Sequence, residues 1–232
     1  MPFDSQSVTY EASLGNITSP RTTRSSIPAP VFSYRYMFKR VFDVTIAAAI
    51  CVIAAPFLLL MAALVSMDGH SPFYTQLRVG RFGKPFRMLK LRTMVHDADA
   101  RMEAYLAANP EARAEWDATQ KLKNDPRVTL VGRVLRKSSM DELPQLLNVI
   151  AGSMSLVGPR PMMLEQQKIY PGTRYFKLRP GLSGFWQVSD RHNSNFRDRA
   201  HFDDDYDGKL SLGTDLRVLM DTVRVVLRGT GC

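Results

Sequence analysis

Cysteine is scarce: only Cys51 and Cys232 occur in 232 residues, too few for a disulfide framework, and Cys51 lies inside an apolar run. That usage fits a reducing compartment. The four histidines (His70, His96, His192, His201) show no ligand spacing with the cysteines, which argues against a zinc site. Acid is also short, with 22 Asp and Glu against 31 Lys and Arg, a formal charge of +9. The excess points to an anionic partner: nucleic acid, anionic lipid or a phosphorylated substrate. No aromatic-basic recognition motif or helix-turn-helix signature accompanies the charge, so nucleic acid is not expected. "GRFGK" at 80–84 lacks the spacing of a phosphate-binding P-loop, and no internal repeat is visible. The length suits one domain with a real core, plus an appendage.

One absence is local. From Val44 to Met67 no residue is charged. A membrane helix needs roughly 20 such residues. More than forty residues precede the run without a short basic leader pattern, so a signal peptide does not fit. Pro56 divides the run into halves of about 18 Å each at 1.5 Å per residue, short of a hydrocarbon core of about 30 Å. Arg35, Lys39 and Arg40 precede it, and Arg78, Arg81, Lys84, Arg87, Lys90 and Arg92 follow it. Basic residues mark the cytoplasmic side, and here both flanks carry them. The expectation is a re-entrant helix–break–helix over 44–67 that leaves by the side it entered. A spanning helix with an incidental kink at Pro56 is the alternative.

Elsewhere, residues 1–30 are rich in Ser, Thr and Pro and predict a flexible tail. The stretch 71–94 alternates apolar and basic residues around Gly80 and Gly83, predicting a β-hairpin. Residues 97–123 predict helix, with a second helix opening at Asn109-Pro110. Residues 125–137 predict a turn and a short basic amphipathic helix. Leu212, Leu216, Leu219, Val223 and Val226 recur at helical spacing opposite Arg217, Asp221, Arg224 and Arg228. The fold class is therefore α+β, mainly helical, with a small hairpin beside a monotopic membrane element.

Chemistry concentrates in "SSMDELPQLLNVIAGSMSLVGPRP", residues 138–161. Asp141 and Glu142 fit a capping box in which Glu142 reaches back to Ser139, and acid complements the positive end of a helix dipole. The same geometry fits catalysis. A helix start favours phosphate, a carboxylate there can act as a nucleophile, and its neighbour can hold Mg²⁺. Arg160, between two prolines, has little backbone freedom and suits two-pronged phosphate binding; a surface turn is its plain alternative.

"KLRTM", "DELPQLLNVIAGSMSLVGPRP" and "RPGLSGFWQVSDR", in that order after "KRVFDVTIAAAICVIAAPFLLL", resemble the bacterial sugar transferase family, the monotopic phosphoglycosyl transferases. The likeness runs from about Lys39 to Arg228, which makes 31–232 the catalytic domain, and is greatest to short members that start exopolysaccharide repeat units. It implies transfer of a sugar 1-phosphate from a UDP-sugar, galactose or glucose, to undecaprenyl phosphate at the cytoplasmic face of the inner membrane. It further implies that Asp141 forms the covalent sugar-phosphate intermediate with release of UMP, and that Glu142 binds Mg²⁺. Lys90, Arg92 and Arg160 match basic positions near the phosphates; Arg179 and Arg191 are further candidates. Pro56 falls on the membrane break, though Ala55 stands where the family usually has Ser. "FDDDYDGKLSLGTD" keeps Asp203 and Tyr206 but carries Asp205 where a Tyr is common. A non-catalytic membrane-surface module is the competing class, and the oligomeric state, a homo-oligomer included, is left open.

Overall fold

A computed structural model describes residues 34–119, 122–189 and 196–227. The expected tail over 1–30 and the candidate Arg191 lie outside the described residues.

One π-helical turn, Tyr34–Phe38, leads into α1, Lys39–Val65, which carries the apolar run. The helical span continues through Pro56, so the expected break does not divide it into two helices. A proline removes a single N–H, and the remaining turns still hold. Only 6 % of the most apolar stretch is buried by protein. A core helix would be covered; this one presents Val52, Ile53, Leu59 and Leu60 outward.

Both ends of α1 nevertheless dock on the same body. Near the start, Ala47 is fully buried among Leu146, Val149, Leu156 and Val218. Asp43 accepts from Ser155 Oγ at 2.7 Å and from the Leu156 N–H at 3.2 Å. Near the finish, Val65 is buried with Leu91 and Leu135, and Leu58, Met61 and Ala62 pack against them.

The expected hairpin is present. Strand β1, Phe73–Val79, pairs antiparallel with β2, Pro85–Leu91, in a register that sets Tyr74 opposite Lys90 and Gln76 opposite Met88. Helices α2, Ala98–Ala108, and α3, Pro110–Thr119, follow as expected, the second opening at its proline. Helix α4, Leu130–Lys137, is capped by Thr129, whose Oγ1 accepts from the Gly132 N–H at 2.9 Å. A Cβ at Gly132 would stand 2.0 Å from the Thr93 carbonyl oxygen, so this contact between α4 and the chain after β2 requires glycine.

Helix α5, Gln145–Ala151, leads to β3, Ser155–Val157, which pairs in parallel with β4, Gly181–Ser183. This second sheet was not foreseen, since three-residue strands are too short to show alternation. It is followed by α6, Phe185–Val188, α7, Arg199–Lys209, and α8, Leu212–Leu227. Helix α8 does not bury the stripe its spacing suggested. Leu212, Leu216, Met220 and Val223 are exposed, while Asp215 and Val218 face inward. Asp215 is drawn in by three donors, each at 2.7 Å: Lys39 Nζ, Tyr34 OH and Tyr206 OH. A carboxylate is tolerated in a core only when paired in this way.

Candidate active site

The acidic pair sits where three elements converge. After α4 the chain reverses at Ser139, in the left-handed region at φ 56°. That conformation costs a residue with a side chain on the order of 1 kcal/mol. Met140–Glu142 then form one 3-10 turn, and α5 starts only after Pro144. The capping box is not made: the Ser139 side chain forms no cap bond. Glu142 turns its carboxylate to strand β2 instead, where Lys90 Nζ donates to Oε1 at 2.8 Å. Lys90 Nζ also lies 3.9 Å from Asp141 Oδ2.

Lys90 is placed by backbone physics. The free edge of β2 is bonded by a side chain of α5: the Leu89 N–H donates to Asn148 Oδ1 at 2.9 Å, and Asn148 Nδ2 donates to the Arg87 carbonyl at 2.8 Å. This substitutes for a missing strand and locks β2 against the helix that follows the acidic turn. Strand periodicity then puts Arg78, Met88 and Lys90 on one face.

Arg160 arrives from the second sheet. The Gly158 N–H donates to the Ser183 carbonyl and the Gly181 N–H to the Pro159 carbonyl, at 2.9 and 2.8 Å. A Cβ at Gly181 would lie 2.1 Å from the Gly158 nitrogen, so the approach of the two strands depends on glycine. Arg160 Nη2 comes within 3.9 Å of Glu142 Oε1, and its guanidinium lies 5.6 Å from the Trp186 ring centroid.

Two cavities meet at Lys90, Glu142 and Arg160. The first, about 320 Å³, is walled by Arg78, Gln145, Trp186 and Arg199 as well. Arg199 stacks on Trp186 at 4.1 Å. Burial, reinforced by Arg160, depresses the Arg199 guanidinium to about 10; burial and Arg160 also lower Arg78. Arg78 Nε, Gln145 Nε2 and Arg199 Nε are buried without an acceptor among the described residues. Such donors beside crowded like charges suit a polyanion. The second cavity, about 720 Å³, contains Asp141, Arg136, Tyr74, His70 and His96. Burial pushes the Asp141 carboxyl above its usual range, and Lys90 pulls it partly back.

Of the residues expected from sequence, Asp141, Glu142, Lys90 and Arg160 come together. Arg92 lines the second cavity, but its guanidinium is committed to both Asp68 oxygens, at 2.6 Å each, and to the Val65 carbonyl. Arg179 is elsewhere, with Nε on the Gly152 carbonyl. Sequence reasoning missed Arg78, Gln145, Trp186 and Arg199. Only Arg78 carried a signal, since it shares parity with Lys90 once the hairpin register is known.

Asp203, kept from the family pattern, accepts from Tyr170 OH at 2.5 Å and is buried. Burial raises its carboxyl to about 7 against the pull of that bond and of Arg199. Asp203 therefore acts behind Arg199 and lines neither cavity.

The sequence profile described as bacterial sugar transferase matches residues 34–229. The chain belongs to that family, as the motifs led us to expect. Among similar proteins, the exopolysaccharide production protein ExoY of Rhizobium meliloti is 46% identical over 198 residues, covering 84% of this chain and 88% of that one. The UDP-galactose-lipid carrier transferase of Erwinia amylovora is 45% identical over 195 residues, 83% of this chain and 41% of its own length. The undecaprenyl-phosphate galactose phosphotransferase of Salmonella typhimurium is 44% identical, again over 83% of this chain and 41% of its own. The chain thus spans less than half the length of the latter two.

Proposed function

We propose that this protein transfers a sugar 1-phosphate, of galactose or glucose, from a UDP-sugar to undecaprenyl phosphate, releasing UMP and starting an exopolysaccharide repeat unit. The names of the similar proteins support the donor and acceptor classes. The observation that carries the reading is a half-sheltered carboxylate, Asp141, beside Lys90 at the junction of two cavities, one of them walled by guanidinium groups.

An Asp141 oxygen attacks the β-phosphorus of the donor. The bond from that phosphorus to the bridging oxygen breaks, and UMP leaves with its electron pair. Arg160, Arg78 and Arg199 compensate the charge on the departing phosphate. Asp141 then carries the sugar phosphate as an acyl phosphate. A phosphate oxygen of the lipid acceptor attacks the same phosphorus, and the bond to Asp141 breaks to restore the carboxylate. Displacements at phosphorus run in line, so the acceptor phosphate enters from the side that UMP left. One arginine wall therefore serves both half-reactions.

The donor set suits Mg²⁺, which binds through one or two carboxylates with substrate phosphates and water. Glu142 faces both cavities and would hold the ion. No group of three potential metal ligands gathers among the described residues, as fits an ion held largely by substrate. When bound, it supplies charge neutralisation between a carboxylate and a pyrophosphate.

The docking of α1 supports the re-entrant reading. A spanning helix would draw the charged body beside it into the bilayer, because both of its ends pack on that body. A shallow seat on the cytoplasmic face instead brings the site to the headgroups, where a lipid phosphate and a soluble nucleotide sugar meet. Incubation with the UDP-sugar alone tests the chemistry. UMP should appear in amounts equal to enzyme, and intact-protein mass spectrometry should find one sugar phosphate on Asp141. Burst-free turnover that needs both substrates together refutes the covalent route.

A further inference from the structure

A third cavity, about 360 Å³, lies apart from Asp141 and Glu142, beside the first turn of α1. Its lining includes Arg40, Arg81, Lys177 and Arg179, with Asp43 the one acid. Arg35 and Lys39, also in the lining, are ion-paired with Asp207 and Asp215, whereas the guanidinium groups of Arg40, Arg81 and Arg179 are fixed by backbone carbonyls. Arg40 donates to Val149 O at 2.6 Å and Ile150 O at 2.9 Å. Arg81 Nε donates to Lys177 O, and Arg179 Nε to Gly152 O, both at 2.9 Å. Among the described residues, Arg81 and Arg179 bond a carbonyl through Nε, which leaves their terminal nitrogens for another acceptor, and Lys177 lines the same cavity. Asp43 is spent inward on Ser155 and the Leu156 N–H. Burial and the nearby Arg179 depress Arg81, as expected where like charges are held together without a counter-ion.

Part of the rim is aromatic. Tyr36 and Phe82 line the cavity and are 58% and 67% exposed. Phe82 is held outward at φ 60°, in the left-handed region. Pre-positioned donors, a single acid already bonded to Ser155 and Leu156, and an aromatic rim at the polar end of an apolar helix describe a headgroup seat. We propose that this cavity binds the phosphate of an anionic phospholipid, separately from the substrates, and so fixes the depth and orientation of the catalytic body on the membrane. The proposal rests on the membrane reading of α1. Arg179, matched by motif to the substrate phosphates, is thereby reassigned to a lipid phosphate.

The test uses the full chain, with flotation on vesicles of phosphatidylcholine alone or mixed with phosphatidylglycerol. Binding should be stronger to the mixed vesicles, and the double variant Lys177→Gln/Arg179→Gln should lose about tenfold or more of that preference, from roughly 1 kcal/mol per basic residue near the surface. A control, Arg101→Gln/Lys123→Gln, removes equal charge on and after α2 and α3 and should lose much less. Because Arg179 also bonds Gly152, the single variant Lys177→Gln and a melting curve accompany the pair. Short-chain phosphatidylglycerol should raise the Tm of the wild type but not of the variants. Equal losses in site and control variants, or no preference in the wild type, overturn the proposal while leaving membrane binding intact. No flotation on either vesicle overturns the membrane reading instead. Stabilisation by inorganic phosphate as large as that by the short lipid assigns the cavity to a soluble anion and overturns the lipid.

Discussion

Replacing Asp141 by Asn separates chemistry from architecture. The side chain is 13% exposed and its charge is opposed mainly by burial, with Lys90 at 3.9 Å as partial compensation. A pair that loose contributes no more than about 1 kcal/mol, and the amide keeps the volume. Because burial raises the folded carboxyl above its unfolded value, the native state holds its proton more tightly. That group's contribution to stability is complete below the unfolded pKa and falls as pH rises through the folded one. At neutral pH the charged carboxylate is therefore a cost that Asn removes. A change of 1 kcal/mol shifts Tm by about 2–4 °C in a chain of this size, so Asp141→Asn should melt within about 4 °C of the wild type, on the high side. No cap bond of Ser139 is lost, since its side chain makes none. Activity should fall by about 10⁴-fold or more, as when a nucleophile is deleted. Calorimetry and UMP release on the same preparation decide. A folded variant that releases UMP at the wild-type rate refutes the role of Asp141, and a variant that unfolds shows the acidic turn to be structural.

The arginine wall should separate from its neighbours in kinetics. Arg199→Gln and Arg160→Lys should raise the KM for the UDP-sugar about tenfold or more, since lysine keeps charge but loses the two-pronged donor; Arg92→Gln, which frees Asp68, should lower Tm with KM unchanged. Asp203, raised to about 7 in the fold, should make wild-type stability decline as pH rises from about 4 to 7; Asp203→Asn should flatten that slope, measured as Tm against pH. For topology, single cysteines at Met37 and Lys84, in a background without Cys51 and Cys232, should both resist an impermeant thiol reagent in intact cells and react once the inner membrane is opened. Pro56→Leu should move the segment toward spanning and change the labelling at Met37; wild-type labelling at one end before opening refutes the re-entrant arrangement.

Local order and motif identity were legible in the sequence. The hairpin followed from alternation around Gly80 and Gly83, α3 from Pro110, and the apolar helix from an uncharged run. The residues that line the candidate site were legible in part, because Asp141, Glu142, Lys90 and Arg160 each lie in a contiguous motif. Only the tertiary structure decided which groups meet. Capping logic favoured a bond from Glu142 to Ser139, but β2, locked by Asn148, brings Lys90 within 2.8 Å, and a charged donor outcompetes a backbone N–H. Periodicity gave α8 an apolar stripe, yet three donors from Tyr34, Lys39 and Tyr206 turn Asp215 inward and leave Leu216 and Val223 outside. Arg179 stood in a motif as a site candidate and Arg199 stood in none. Long-range packing sends one to the helix α1 flank and the other onto Trp186. Spacing along a chain fixes neighbours within a few residues, whereas charge and burial are settled by partners that the fold brings from afar, 52 residues for Lys90 and Glu142 and 181 for Tyr34 and Asp215.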